Sequence, residues 1–216
     1  MEIVEIPVDG YEKVVRAEVP GKRFQALIAV HDTTLGPALG GLRMWKYPSL
    51  DEAQTDVLRL ARGMTYKSAV ARTGLGGGKA VLIGDPGKDK SDEAFLFMGQ
   101  FIDSLGGLYV TAEDVGINVY DLDLIARETN HVTGRAREVG GSGDPSPYTA
   151  LGTFLAMKVC LHEVFGSEDF EGRKVAIQGL GHVGYWLAKH LHGAGARLMV
   201  SDLQESRTRR DRKSVV

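Results

Sequence analysis

The stretch RKVAIQGLGHVGYWLAKHLHGAGARLMVSD, residues 173–202, decides the fold. Val175-Ala176-Ile177 reads as a buried strand, and Gly179-Leu180-Gly181-His182-Val183-Gly184 as a GxGxxG turn opening a helix with Val183, Leu187 and Leu191 on one face. Leu198-Met199-Val200 supplies a second strand, which ends at Asp202. A GxGxxG is weak alone in a chain with 28 glycines. The order strand, turn, helix, strand, acid is what makes it a dinucleotide-binding unit. The glycines allow a tight turn and bring a pyrophosphate close to backbone N–H groups at a helix N-terminus. Asp202 is expected to accept hydrogen bonds from ribose hydroxyls and repel a 2′-phosphate, so NAD is expected rather than NADP.

A complete doubly wound domain needs about six strands, and two fit between Val175 and Val216. The expectation is therefore an incomplete Rossmann-type domain on a C-terminally truncated chain. The ending QESRTRRDRKSVV shows no helical or strand period and reads as a polar tail, its charge run Arg207–Lys213 as a solvated one.

Upstream, glycine, proline and serine cluster in GGSGDPSP, residues 140–147, as at a hinge. The boundary is placed there, giving domains of residues 1–147 and 148–216. A helix from about Tyr148 to Phe165 follows, with Leu151, Leu155 and Val159 four apart. Within residues 1–147, EKVVRAEVPGKRFQALIAVHD reads as two strands around Pro20-Gly21, and GPALGGLRMW as a glycine-rich loop. Ser49 and Glu52 form a capping-box pattern before a helix with Ala53, Val57, Leu60, Ala61 and Met64 on one face. LGGGK reads as a flexible loop before the strand AVLI, a second helix starts near Ser91, and GLYVTAEDVG is a strand running into a loop. Another helix begins at Val119. Strands alternating with helices give an α/β fold.

Composition narrows the function. With 26 basic and 28 acidic residues, the chain has no overall pull toward nucleic acid or an anionic membrane. The single cysteine, Cys160, excludes an internal disulfide and suits a reducing cytoplasmic compartment. No apolar run is long enough to span a bilayer. The six histidines lack metal-ligand spacing, so no metal is expected; Cys160 is expected to pack within its helix.

Lys67 and Lys79 each follow an apolar or glycine-rich segment, and Asp114 lies in the loop AEDVG. A lysine beside another cation in a partly desolvated cleft has its pKa pushed down toward catalytic use, and a nearby aspartate can exchange its protons.

The motifs GPALGGLRMW, GMTYKSA, LGGGKAVLIGDP, TAEDVG, PSPYTALG and GLGHVG, in this order, resemble the family of glutamate, leucine, phenylalanine and valine dehydrogenases. TAEDVG, ETNHVTG and NVYDLDLI look more like the leucine branch than the phenylalanine branch. The resemblance implies NAD-dependent oxidative deamination of an L-amino acid to a 2-oxo acid and ammonium. It implies that Lys67 holds the substrate carboxylate and Lys79 activates the attacking water. Asp114 would shuttle protons to and from the amine. Gly40, Gly41 and Met64 would line the cleft, Thr133 lie near the substrate side chain and Thr149 near the nicotinamide amide. It also implies a homo-oligomer assembled through the first domain.

Glutamate-specific relatives usually carry a lysine just before the Gly-Gly pair; here that position is Leu39. An apolar side chain there leaves a substrate carboxylate desolvated and unpaired, worth about 10³-fold against glutamate. The expected substrates are branched-chain amino acids, with phenylalanine or valine as alternatives. A different expectation is a catalytically inactive homologue that persists as a folded or oligomer-forming domain.

Overall fold

Apolar runs within residues 13–18 and 25–32 build a hairpin of a six-stranded mixed sheet. The computed structural model describes residues 1–22 and 24–212. Strands β1 (Glu2–Glu5), β2 (Lys13–Glu18) and β3 (Gln25–Asp32) run antiparallel in sequence. β4 (Ala38–Trp45) leads through helix α1 (Leu50–Ala71) to β5 (Gly76–Ile83), which pairs parallel to it. Helix α2 (Asp92–Asp103), β6 (Tyr109–Glu113) and α3 (Val119–Ile125) complete the layer. The strand order is β1-β2-β3-β5-β4-β6, so β4 and β5 lie inside the sheet. The fold is α/β, as the alternation of elements predicts.

Each face of this sheet has its own core. Val57 and Ala61 of α1 pack with Leu27, Ala29 and Val81 on one face, while Phe95, Met98 and Phe101 of α2 pack with Ile28, Leu42 and Leu82 on the other. Ser49 starts α1, its side-chain oxygen accepting from the Glu52 N–H at 3.2 Å. A cap of this kind is worth about 1 kcal/mol.

Two segments expected as loops are strands. GPALGGLRMW contributes β4, and Gly76-Gly77-Gly78 form the fully buried start of β5. Their glycines are needed for closeness rather than flexibility. A Cβ on Gly77 would lie 2.1 Å from the Thr65 backbone nitrogen of α1, and one on Gly78 2.8 Å from the Tyr109 ring. The helix and a buried tyrosine occupy the space that side chains would fill. β1, which the sequence reading passed over, is an exposed edge strand.

The chain divides into two compact units, Met1–Gly143 and the segment from Asp144 onward. In the second, helix α4 (Ser146–Phe165) precedes β7 (Lys174–Gln178), α5 (His182–Gly193), β8 (Arg197–Ser201) and α6 (Glu205–Arg212). β7 and β8 pair in parallel, and Ile177, Leu180, Ala188 and Leu191 pack with Phe170. Leu151, Leu155 and Val159 of α4 are exposed, because its buried contacts to this unit come from Phe154, Met157 and Leu161 instead. Cys160 is exposed as well, contrary to its expected packing role. The tail expected to lack periodicity is helical over Glu205–Arg212, helped by an i,i+4 pair of Glu205 with Arg209; residues 213–216 fall outside the described residues. Among the described residues no helix is long and apolar enough to cross a membrane.

Candidate active site

Lys79 lies in the middle of β5 and its side chain is only 7% exposed. Its ammonium meets the Asp114 carboxylate, just past the end of β6, with Nζ 2.8 Å from Oδ2. The glycines of β4 make this approach possible. A Cβ on Gly41 would stand 2.8 Å from the Cβ of Asp114, and one on Gly40 1.8 Å from the Gly78 carbonyl oxygen. Met64 of α1 closes on the same point, with its Cγ 3.3 Å from that position on Gly40. The Tyr109 hydroxyl donates to the Gly40 carbonyl from below.

Arg43 of β4 is a member of this group that the sequence reading did not single out. Its Nε donates to Asp114 Oδ2 at 3.1 Å and its Nη1 to Asp56 Oδ2 of α1 at 2.9 Å. The Tyr47 hydroxyl donates to that same Asp56 oxygen at 2.6 Å. The signal lay within GGLR: Arg43 is two residues beyond Gly41, on the same side of a strand, but a strand had to be recognised first. A cleft of 570 Å³ opens beside it, lined by Tyr47, Asp56, Arg59 and Val115 among others.

Charge and burial set the proton affinities here. Burial pushes Lys79 below the usual lysine value, and the Arg43 charge adds to this; Asp114 opposes it without cancelling it. Burial alone would raise Asp114, but Lys79, Arg43 and a backbone N–H from Val115 outweigh it and hold the carboxyl low. Burial would lower Arg43, yet Asp114 and Asp56 keep its value raised, so it stays charged. Tyr47 is raised by burial and by its bond to Asp56.

The other predicted residues of the first unit fall as follows. Leu39 is half-buried on β4, in register with Gly77 of β5. Lys67 lies on α1 three residues beyond Met64, exposed and without an ion pair among the described residues. Thr133 is exposed, with its backbone N–H on the Thr111 carbonyl at 2.9 Å.

In the second unit, Gly179 has φ +96°, a conformation that favours glycine. A Cβ on Gly184 would sit 2.0 Å from the Gly179 oxygen, so α5 can start only against a bare backbone. Gly181 is its N-cap, without a side-chain bond, which leaves the first N–H groups of the helix open to an anion. His182 is exposed and Val183 half-buried. Asp202 Oδ2 accepts from the Leu180 N–H at 2.7 Å and Oδ1 from the Gln204 N–H at 2.8 Å. These two bonds, with Arg207 nearby, hold its carboxyl below the usual range. The aspartate thus anchors the glycine turn as well as presenting its remaining lone pairs. Thr149 of α4 is exposed, its hydroxyl donating to the Pro145 carbonyl at 3.1 Å.

Comparison with known proteins agrees with this architecture. A family model described as the Glu/Leu/Phe/Val dehydrogenase dimerisation domain matches residues 12–131, and one described as Glutamate/Leucine/Phenylalanine/Valine dehydrogenase matches residues 140–204. Leucine dehydrogenase of Geobacillus stearothermophilus is 54% identical over 195 residues, 90% of this chain and 53% of that protein. Phenylalanine dehydrogenase of Lysinibacillus sphaericus is 49% identical over 92% of this chain and 52% of its own length. Among solved structures, L-tryptophan dehydrogenase of Nostoc punctiforme superposes with a TM-score of 0.69 at 40% identity, covering 95% of this chain and 58% of that one. The chain spans about half the length of the curated relatives it matches. It belongs to the Glu/Leu/Phe/Val dehydrogenase family.

Proposed function

We propose that this member of the Glu/Leu/Phe/Val dehydrogenase family serves NAD-dependent oxidative deamination of an apolar L-amino acid, with leucine, isoleucine and valine as the substrate class. The observation that carries the reading is the buried Lys79–Asp114 pair at 2.8 Å, beside the glycines of β4. The names of relatives acting on leucine, phenylalanine and valine support the substrate class.

In this reading Lys67 holds the substrate carboxylate, and Gly40, Gly41 and Met64 shape the wall beside it. Leu39 and Thr133 face the substrate side chain. The residues of the GxGxxG turn fit a dinucleotide pyrophosphate, because Gly184 leaves no Cβ between the turn and the helix N-terminus. Thr149 would lie near the nicotinamide amide, and Asp202 would take the ribose. When bound, NAD accepts the hydride that leaves the substrate Cα as the amine becomes an iminium. Lys79, with its proton affinity lowered by burial, takes a proton from the water that attacks the iminium carbon. Asp114 then passes protons to the departing amine, and ammonium and the 2-oxo acid are released. A cytoplasmic homo-oligomer completes the reading. The description of residues 12–131 as a dimerisation domain supports the oligomer.

A second reading, a folded chain without turnover, is favoured by the exposed apolar residues Leu151, Leu155 and Val159 along α4. The two are separated by joining residues 1–201 to the remaining segment of the Geobacillus leucine dehydrogenase and measuring NADH formation beside the 216-residue chain. The first reading expects the fusion to oxidise leucine far faster than glutamate, and Leu39→Lys to raise glutamate use. A folded fusion that forms no NADH from any apolar amino acid rejects it; NADH formation by the short chain rejects the second.

A further inference from the structure

Asp114 Oδ2 accepts from two cations, and only one of them is the lysine assigned to the chemistry. An isolated buried lysine–aspartate pair is a poor source of neutral lysine. Once the lysine loses its proton, the carboxylate is left as an uncompensated buried anion, and that penalty holds the proton in place. Here the second donor, Arg43, stays on the same oxygen and remains charged.

Arg43 is itself held. Its guanidinium forks, with Nε on Asp114 and Nη1 on Asp56, and Tyr47 fixes the shared oxygen of Asp56. The charges alternate along one line: Lys79 from β5, Asp114 after β6, Arg43 from β4, Asp56 from α1. All four side chains are no more than about one-third exposed, at 7%, 21%, 23% and 31%, so solvent screens them only in part. Among the described residues, other titratable groups facing this line are Tyr109 from β6, Tyr47 beyond β4, and Glu52 and Arg59 of α1 in the adjoining cleft.

We propose that Arg43, clamped by Asp56 and Tyr47, is a positioning residue that keeps the Asp114 carboxylate aimed at Lys79 and charge-compensated while the lysine is neutral. The proposal rests on the reading of Lys79 and Asp114 as the acid–base pair, but its physical content concerns the proton equilibrium of Lys79 itself. Arg43 favours the neutral lysine and Asp56 favours the charged one, as their signs require. Replacing them must therefore move the lysine in opposite directions.

The test is an NMR titration of the Lys79 side chain in the 216-residue protein labelled at the lysine ε-carbon, assigned by loss of its signal in Lys79→Met. Arg43→Gln should move the Lys79 midpoint to higher pH and Asp56→Asn should move it to lower pH. Arg43→Lys should return it most of the way, since charge is restored while the fork is not. If Arg43→Gln does not fold, the isosteric Asp56→Asn still decides by the sign of its shift. Midpoints that stay put, or that move the same way in both variants, overturn the proposal. No turnover enters this measurement. If the opposite shifts are found and the leucine-oxidation test fails, the functional reading is wrong and the charge line stands.

Discussion

Gly76-Gly77-Gly78 and Gly179 look alike in the sequence and meet different physical demands. Gly76-Gly77-Gly78 are extended residues inside a buried strand, where an added Cβ would collide with α1, a neighbouring backbone or the Tyr109 ring. Gly179 has open space around its Cβ position but a φ of +96°. Gly76–Gly78 use the missing volume, as Gly184 does at the start of α5, whereas Gly179 uses the missing conformational restriction. A count of glycines cannot separate these, because the difference lies in what packs against the backbone.

Substitution by alanine should split the two. Gly77→Ala should be the most damaging, since the clash at 2.1 Å is with helix backbone that cannot rotate away. A loss of about 3 kcal/mol or more is expected in urea unfolding of the first unit. Gly179→Ala should lose about 1–2 kcal/mol, from strain alone. If the proposed dinucleotide site is right, the same substitution in the Geobacillus fusion should also weaken NADH binding, read by fluorescence. Gly63, in the middle of α1 with nothing within 4 Å of its Cβ position, is the internal control. Gly63→Ala should stabilise the chain by about 0.5–1 kcal/mol. Equal effects at positions 63 and 77 would break the distinction.

A smaller effect isolates the charged middle of β5 from its glycine-rich start. Asp114 lies below its ordinary value of 3.8 in the folded protein. Its ionised form therefore contributes stability that is complete above that value and lost as pH falls through the folded one. Asp114→Asn should flatten the decline in stability below about pH 4 while leaving other carboxylates to titrate as before. Urea midpoints measured across the acid range, beside wild type, check this.

The α/β plan was legible because its signals are local. The β2–β3 hairpin, the Ser49 cap, the helix start near Ser91 and the strand–turn–helix–strand order of residues 173–202 each lie within one short window. Lys79 and Asp114 were singled out through a family pattern, and the structure brings their side chains together. Arg43, Asp56 and Tyr47 were not, because their link depends on β4 lying beside both β5 and β6 with α1 across it. Reading Ala38–Trp45 as a loop hid that neighbourhood, and the glycines that suggested a loop are the ones that allow the strands to close. The apolar stripe of α4 located the helix but not its packing: helical spacing identifies an apolar face but not whether anything within this chain covers it.

An amine at position 79 is assigned the acid–base step, so removing and then restoring that amine is the sharpest check of the proposed function. In the fusion to the Geobacillus segment, with every cysteine of the fusion replaced by serine, Lys79→Cys should collapse leucine-dependent NADH formation by orders of magnitude. Alkylation of the new thiol with bromoethylamine rebuilds a lysine-like side chain whose amine is less basic. Activity should then return in large part, with the acid limb of its pH profile moved to lower pH. Undiminished turnover by Lys79→Cys before alkylation would contradict the account, and so would a recovered enzyme whose pH profile has not moved.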